Sequence, residues 1–370
     1  MEKTKLIVNT ESKSYPIYFG NNILGSTHKL LKANLPNVNK ICIISDGKVP
    51  SSLSIKLIKS LRKYDLKIYK ISVNEKIKNL KIANNIIEWL LKNNFSRSDC
   101  VISFGGGIVG DLSAFIASLT KRGLKFINIP TTLLAQSDAS VGGKTGVNSA
   151  EGKNLIGTFY QPDFVLIDIL TLNSLSRREM ICGYGEILKH SLISDKKFFL
   201  WLLRNAKKII NKKNRNILEQ ASKKSCKIKS QIVSKDERER NLRMILNFGH
   251  TFAHGFEAAK SFSKKLNHGE AVLLGISIAN ELAYDKKILS SNDLNLIKRH
   301  YISLNLPNKL SKFFKKKEIN KIVYFMQSDK KNFNEKINLI LLKKIGKATK
   351  PNTFSIDRIK LKNFLLKCYK

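Results

Sequence analysis

The sequence predicts an α/β N-terminal domain, residues 1–175, with a parallel Rossmann-like sheet, followed by a mainly α-helical domain, residues 176–370. Three observations carry this expectation. Short β-branched runs alternate with helical stretches through the first half, the pattern of a parallel sheet covered by helices. A glycine-rich turn, Gly105-Gly-Gly-Ile-Val-Gly110-Asp111, follows an apolar run, where a strand would feed a helix. Beyond Phe164-Val-Leu-Ile-Asp168 the character changes to long amphipathic helices, which puts the boundary near Leu175.

The segment Met1–Val8 reads as a first strand. Lys40–Ser45 is a compact apolar strand that ends in the turn Asp46-Gly47, and Lys67–Val73 is the next. Leu80, Ala83, Ile87, Leu90 and Leu91 recur at helical spacing between Asn79 and Asn93. Cys100–Phe104 enters the glycines, with a helix expected over Leu112–Leu119, and Lys125–Ile129 enters Pro130-Thr131-Thr132. In the second half the clearest helical runs are Phe198–Ile232 and Ala271–Leu289. A short strand from Asn338 and a final helix over Asp357–Cys368 complete the chain.

With 370 residues and 42% hydrophobic content, the chain can bury two cores, and disorder is not the default. No apolar run approaches the ~20 residues of a membrane span. The first residues lack the long apolar centre of a signal peptide. Five scattered cysteines without a Cys-x-x-Cys pair indicate reduced thiols and a cytoplasmic protein. The net charge of +39 invites a nucleic-acid reading. Its lysines are spread along the whole chain, however, with no basic arm, zinc finger or RNP-like motif, so a solvated surface is the better reading.

Glycines in 105–110 would let backbone N–H groups approach a pyrophosphate at a helix N-terminus. The competing reading is a tight structural turn, and the spacing is not Gly-x-Gly-x-x-Gly. A second block runs from Asp138 through Gly143-Lys144-Thr-Gly-Val-Asn148 to Gly152-Lys153-Asn154. It lacks the upstream glycine of a P-loop and reads as anion and hydroxyl contacts on a loop. Arg243, Asn247, His250 and His254 step by four, three and four, which would place them on one helix face continuing to Glu257. A core-facing stripe normally carries Leu or Ile. Glu186, Lys189 and His190 repeat the arrangement elsewhere, and His268 opens an apolar helix. One carboxylate with imidazoles is a common way to hold a catalytic Zn²⁺. Each element alone fits a solvated helix face; together they favour a metal site beside a nucleotide site, hence chemistry on a polyhydroxylated substrate.

Assembled in order, these motifs closely resemble the 3-dehydroquinate synthase family of the shikimate pathway. The likeness runs through Gly105–Asp111, Arg122-Gly, Pro130–Gln136, Asp138–Asn148, Gly152–Gly157 and Phe159–Pro162. It continues through Glu186–Lys189, Asp236–Glu239, Arg243–His254, His268–Val272 and Asp329-Lys330-Lys331. The resemblance implies a non-classical NAD site in the α/β domain, a helical metal-binding domain, a homodimer and a site in the interdomain cleft. It implies that Glu186, His250 and His268 bind one divalent metal per subunit, Zn²⁺ or Co²⁺. NAD would contact Gly107, Ile108, Val109, Gly110, Asp111, Thr131, Thr132, Lys144 and Lys153, with Thr171, Leu172, Asn173 and Ser174 near its other end. Glu75 and Lys78 would lie on the adenosine side. Asp138, Asn154, Lys189, Lys229, Arg243, Asn247 and His254 would contact substrate, and Arg122 with Lys330 or Lys331 would clamp its phosphate, Arg122 reaching across the dimer.

The implied substrate is 3-deoxy-D-arabino-heptulosonate 7-phosphate, whose carboxylate and phosphate explain why cations must converge. The implied reaction runs through transient NAD oxidation at C5, β-elimination of phosphate, reduction and intramolecular aldol closure to 3-dehydroquinate. His254 would relay the C5 hydroxyl proton. No membrane and no specific nucleic-acid partner are expected. The family's Asp-Gly-Glu-x-x-Lys stretch appears here as Val73-Asn-Glu75-Lys-Ile-Lys78, and Gly183-Tyr-Gly replaces Gly-Met-Ala before Glu186. Rival readings are another sugar-phosphate cyclase, a metal-dependent polyol dehydrogenase, and a basic nucleic-acid-binding protein.

Overall fold

The computed structural model describes residues 4–327 and 336–369. The chain forms two compact units: Met1–Met180 with Lys212–Arg238, and Ile181–Asn211 with Glu239–Lys370. The sequence reading cuts the chain once, near Leu175; by contacts, one later helix belongs with the first unit.

The first unit contains β1 (Thr4–Asn9), β2 (Ser14–Gly20), α1 (Thr27–Asn34), β3 (Lys40–Asp46), α2 (Ser51–Ser60), β4 (Asp65–Ile71), α3 (Leu80–Lys92), β5 (Cys100–Gly105), α4 (Gly107–Leu119) and β6 (Lys125–Pro130). A hairpin of β7 (Lys144–Ser149) and β8 (Gly152–Phe159) and then β9 (Phe164–Asp168) follow. Seven strands form one sheet in the order β1-β2-β9-β6-β5-β3-β4. β1 runs antiparallel to β2, and every other pair in that sheet is parallel. Strand alternation sends Ile41, Ile43 and Ile102 into a core with Leu31 and Leu57 of α1 and α2. Their neighbours Cys42, Ile44 and Val101 enter a second core with Leu90 and Leu112 of α3 and α4. Both faces are therefore buried, which is why these strands read as continuous apolar runs.

The connection from β3 through α2 to β4 and that from β5 through α4 to β6 leave on opposite faces and in opposite directions. The carboxyl ends of β3 and β5 thus flank a topological switch point, where open α/β sheets bind ligands. Gly105 ends β5 there, and a Cβ on it would lie 3.2 Å from the Cβ of Asp46 at the end of β3.

Several elements differ from expectation. Helix α4 begins at Gly107, so Ile108–Asp111 form its first turn instead of a loop before Leu112. The second glycine block is the β7–β8 hairpin, and Asp138 sits in a π-helical turn, Ala135–Ala139. The run Phe198–Ile232 divides into α6 (Lys196–Ile210) and α7 (Arg215–Lys235), separated by a turn in which Lys212 has φ +55°. Helix α7 belongs to the first unit because it docks on the π turn. Cys226 Sγ lies 3.0 Å from the Gln136 carbonyl, and Lys229 pairs with Asp138.

Helix α5 (Arg177–Ser194) enters the second unit at Ile181, followed there by α6, α8 (His250–Ala259), α9 (His268–Asp285), α10 (Ser291–Leu304), α11 (Ile319–Gln327) and α12 (Arg358–Lys367). No disulfide joins the five cysteines. No helix among the described residues is long and apolar enough to cross a membrane.

Candidate active site

In the second unit three helices meet at backbone contacts that admit only glycine. A Cβ on Gly269 of α9 would stand 2.2 Å from Cys182 Cα of α5. One on Gly275 of α9 would stand 2.2 Å from the Gly249 carbonyl oxygen ahead of α8. Glu186 lies one turn beyond Cys182, His250 follows Gly249, and His268 precedes Gly269. Close helix approach is thus what draws these three side chains together.

One potential ligand atom from each of Glu186, His250 and His268 falls within 4.8 Å of the other two. His250 Nε2 is 3.3 Å and His268 Nε2 3.8 Å from Glu186 Oε1. Ligands about 2.1 Å from a tetrahedral ion stand roughly 3.4 Å apart, so the donor set fits a Zn²⁺-like cation. The other nitrogen of each ring faces an acceptor: His250 Nδ1 lies 3.3 Å from the Phe248 carbonyl, and His268 Nδ1 lies 3.2 Å from Glu257 Oε2. Both Nε2 atoms are thereby turned toward the carboxylate. Lys189 Nζ pairs with Glu186 Oε2, and both side chains are buried. Burial first, then the Lys189 ammonium, pushes the His250 imidazole down to about 4, so it is neutral near pH 7 and able to ligate.

The expected single helix through 243–254 does not exist. Leu242–Asn247 is a 3-10 turn, and the chain breaks at Gly249, whose φ is +78°. A Cβ there would meet Ile276 N at 2.8 Å, so residue 249 is held in the left-handed region against α9. His250, His254 and Glu257 share α8, with the two histidine rings 5.8 Å apart. Arg243 is buried in the preceding turn, and Asn247 Nδ2 donates to Glu239 Oε1 at 2.9 Å.

In the first unit, Gly106 caps α4 without a side-chain hydrogen bond, leaving the N–H groups of Gly107, Ile108 and Val109 as an anion cradle, while Gly110 N already donates to the Gly106 carbonyl at 3.0 Å. A Cβ on Gly106 would press on Thr132 Cγ2 at 3.1 Å. Beside it, buried Lys78 pairs with Asp111 at 2.5 Å and also donates to Asn154 Oδ1. Glu75 Oε1 accepts from Asn148 Nδ2 at 2.9 Å and lies 3.8 Å from Lys153 Nζ. The 75–78 turn, the hairpin and α4 therefore form one polar cluster, and the altered Val73–Lys78 stretch keeps Glu75 and Lys78 in it. Gln136 Nε2, in the π turn, donates to the Pro130 carbonyl at the end of β6 and to Thr171 Oγ1 of the 3-10 turn Ile169–Ser174, at 3.1 and 2.9 Å. Lys229 Nζ bonds both Asp138 Oδ1 and its carbonyl at 2.9 Å.

Not every expected residue joins these clusters. Val109 and Leu172 are fully buried apolar side chains, so only their backbone can face a ligand. Lys144 opens β7 at an exposed position, and Asn173 and Ser174 end the 3-10 turn. Arg122 is exposed in the turn after α4, on the order of 20 Å from the glycine cradle along the 13-residue helix. Lys330 and Lys331 lie outside the described residues. Sequence reasoning missed Glu257 as the partner of His268 and Glu239 as the partner of Asn247. The position of Glu257 seven residues after His250, on the same helix face, was the available signal.

The first unit thus offers a parallel sheet with a ligand switch point, and the second brings one Glu and two His together as a site that could hold a cation. Solved structures agree on the fold. A 2-deoxy-scyllo-inosose synthase superposes with TM-score 0.84 at 24% identity over 99% of this chain and 100% of that one. One such structure is described with carbaglucose-6-phosphate, NAD⁺ and Co²⁺. The 2-epi-5-epi-valiolone synthase of Streptomyces hygroscopicus, described with NAD⁺ and Zn²⁺, gives TM-score 0.84 at 24% identity over 96% of this chain and 97% of its own. The N-terminal 3-dehydroquinate synthase family model matches residues 68–182 and the C-terminal one residues 183–332. The chain is 52% identical to the 3-dehydroquinate synthase of Pelagibacter ubique, over 96% of this chain and 97% of that protein. It is 39% identical to that of Prochlorococcus marinus, over 94% and 95% respectively. The chain belongs to the 3-dehydroquinate synthase family.

Proposed function

We propose that this chain converts 3-deoxy-D-arabino-heptulosonate 7-phosphate to 3-dehydroquinate and inorganic phosphate, as an NAD- and divalent-metal-dependent phosphate-eliminating lyase of aromatic amino acid biosynthesis. The observation that carries this reading is the convergence of Glu186, His250 and His268 within 4.8 Å in a chain of this family. When bound, NAD⁺ supplies a hydride acceptor restored within each turnover, and Zn²⁺ or Co²⁺ supplies a Lewis acid for adjacent hydroxyls.

In this reading Glu186, His250 and His268 hold the ion. The first turn of α4, with Thr131, Thr132, Lys144, Lys153 and the turn Thr171–Ser174, holds NAD, and Glu75 and Lys78 fix the adenosine side. The uncapped N–H groups of that turn support it. Lys189, Arg243, Asn247, Asp138, Lys229 and Asn154 bind and orient the sugar acid. Burial of Lys189 and Arg243 supports the role, because buried cations gain most from an anionic ligand. His254, one turn beyond His250, moves the C5 hydroxyl proton. Arg122 and a lysine of the 330–331 pair clamp the phosphate. The position of Arg122 at the far end of α4 supports a reach into the partner of a homodimer. The functional division is 1–175 for NAD and 176–370 for metal and substrate, the enzyme is cytoplasmic, and neither membrane nor specific nucleic acid is a partner.

The test is to incubate purified protein with the heptulosonate phosphate, NAD⁺ and Zn²⁺. Equal amounts of phosphate and dehydroquinate, with no net NADH, are expected. NADH accumulating without phosphate would overturn the reading in favour of a polyol dehydrogenase.

A further inference from the structure

Of the three side chains around the candidate ion site, His268 is the most open. Its side chain is 36% exposed, against 14% for His250 and 1% for Glu186. It is also the first residue of α9, where a capping box between Asn267 and Glu270 fixes the backbone. His250, by contrast, is less exposed and has a backbone carbonyl behind its Nδ1. The group behind His268 is Glu257 on α8, a largely buried carboxylate with Oε2 3.2 Å from Nδ1. A carboxylate accepts only, so it selects the tautomer with the proton on Nδ1 and leaves the Nε2 lone pair facing Glu186. The main chain of Glu257 is itself anchored, since its carbonyl accepts from Phe262 N at 2.8 Å in the turn leading to α9.

We infer that Glu257 is the positioning residue of the metal centre: it locks the tautomer and ring orientation of His268 and strengthens that imidazole as a ligand. The inference rests on the ligand set proposed above. Carboxylates behind ligating histidines typically contribute about 10–100-fold to metal affinity. Glu257→Ala therefore weakens Zn²⁺ binding by about that factor, read by competition with a chromogenic chelator on the full chain without substrate. The isosteric Glu257→Gln keeps a neutral acceptor and falls between Ala and wild type. Substituting Co²⁺ gives a second readout, because a reoriented imidazole changes the visible d–d spectrum.

A role in holding the fold alone is separated by a cycle with His268→Ala. In that background Glu257→Ala costs no further metal affinity if Glu257 acts through the ring, and costs the same factor if it does not. Wild-type affinity and an unchanged Co²⁺ spectrum in Glu257→Gln and Glu257→Ala would overturn the inference while leaving the ligand set intact. Unimpaired metal binding by His268→Ala would overturn both.

Discussion

Gly269→Ala tests the idea that helix approach, through glycines, assembles the site. The added Cβ would start 2.2 Å from Cys182 Cα and 2.4 Å from its carbonyl oxygen, so α5 and α9 must part by about 1.2 Å to reach the 3.4 Å of ordinary contact. Both obstacles are backbone, so no side chain can swing aside. Overpacking of this kind costs about 1–3 kcal/mol. Gly→Ala within a helix otherwise stabilises by up to about 1 kcal/mol, so the sign of the change is diagnostic. Glu186 and His268 ride on the two helices forced apart. Metal sites tolerate distance errors of only about 0.2 Å, and a misplacement near 1 Å typically costs about 10²-fold in rate. Urea unfolding should therefore show lower stability, chelator competition weaker Zn²⁺ binding, and phosphate release a rate down about 100-fold. A variant as stable as wild type or more so, with unchanged metal affinity, would refute the reasoning.

Other consequences follow from buried charge. Burial pushes the His300 imidazole down from 6.5 to about 4, and Tyr184 Oη lies 2.6 Å from its Nε2. The unfolded chain takes up this proton near pH 6.5 and the folded one only near 4, so the contribution is intact above 6.5 and lost as pH falls through that window. The loss is on the order of 3 kcal/mol; urea titrations of metal-free protein at pH 7 and 4.5 should show it, and His300→Gln should flatten the slope. Removing Asp111 leaves buried Lys78 without its carboxylate, whereas removing Lys78 leaves a carboxylate that water still reaches. Asp111→Asn should thus destabilise by about 1–3 kcal/mol and Lys78→Met by less, with both weakening NAD⁺ binding in calorimetry. Equal stability of the two variants would contradict this account of the pair.

Much of the architecture was legible because its signals are local. Strands β3, β5, β6 and β9 are short, largely apolar runs, and α3 keeps its apolar residues at helical spacing. The β7–β8 hairpin escaped notice since Lys144–Ser149 and Gly152–Phe159 are rich in Gly, Thr and Asn and bury little. The stripe from Arg243 to His254 has helical spacing, yet the break at Gly249 depends on the contact with Ile276, distant in sequence and invisible locally. Likewise α7 carries an ordinary amphipathic pattern, and only its bonds to the π turn assign it to the first unit. The ligand residues were legible as polar intrusions into apolar helices; Glu257 was read only as the continuation of the stripe, because its partner His268 lies on another helix.

Anomalous diffraction from crystals grown with Zn²⁺ tests the central claim most directly. One strong peak per chain is expected, about 2.0–2.2 Å from a carboxylate oxygen of Glu186 and the Nε2 atoms of His250 and His268. A zinc peak held by other residues, or none under conditions where phosphate is released, would contradict it.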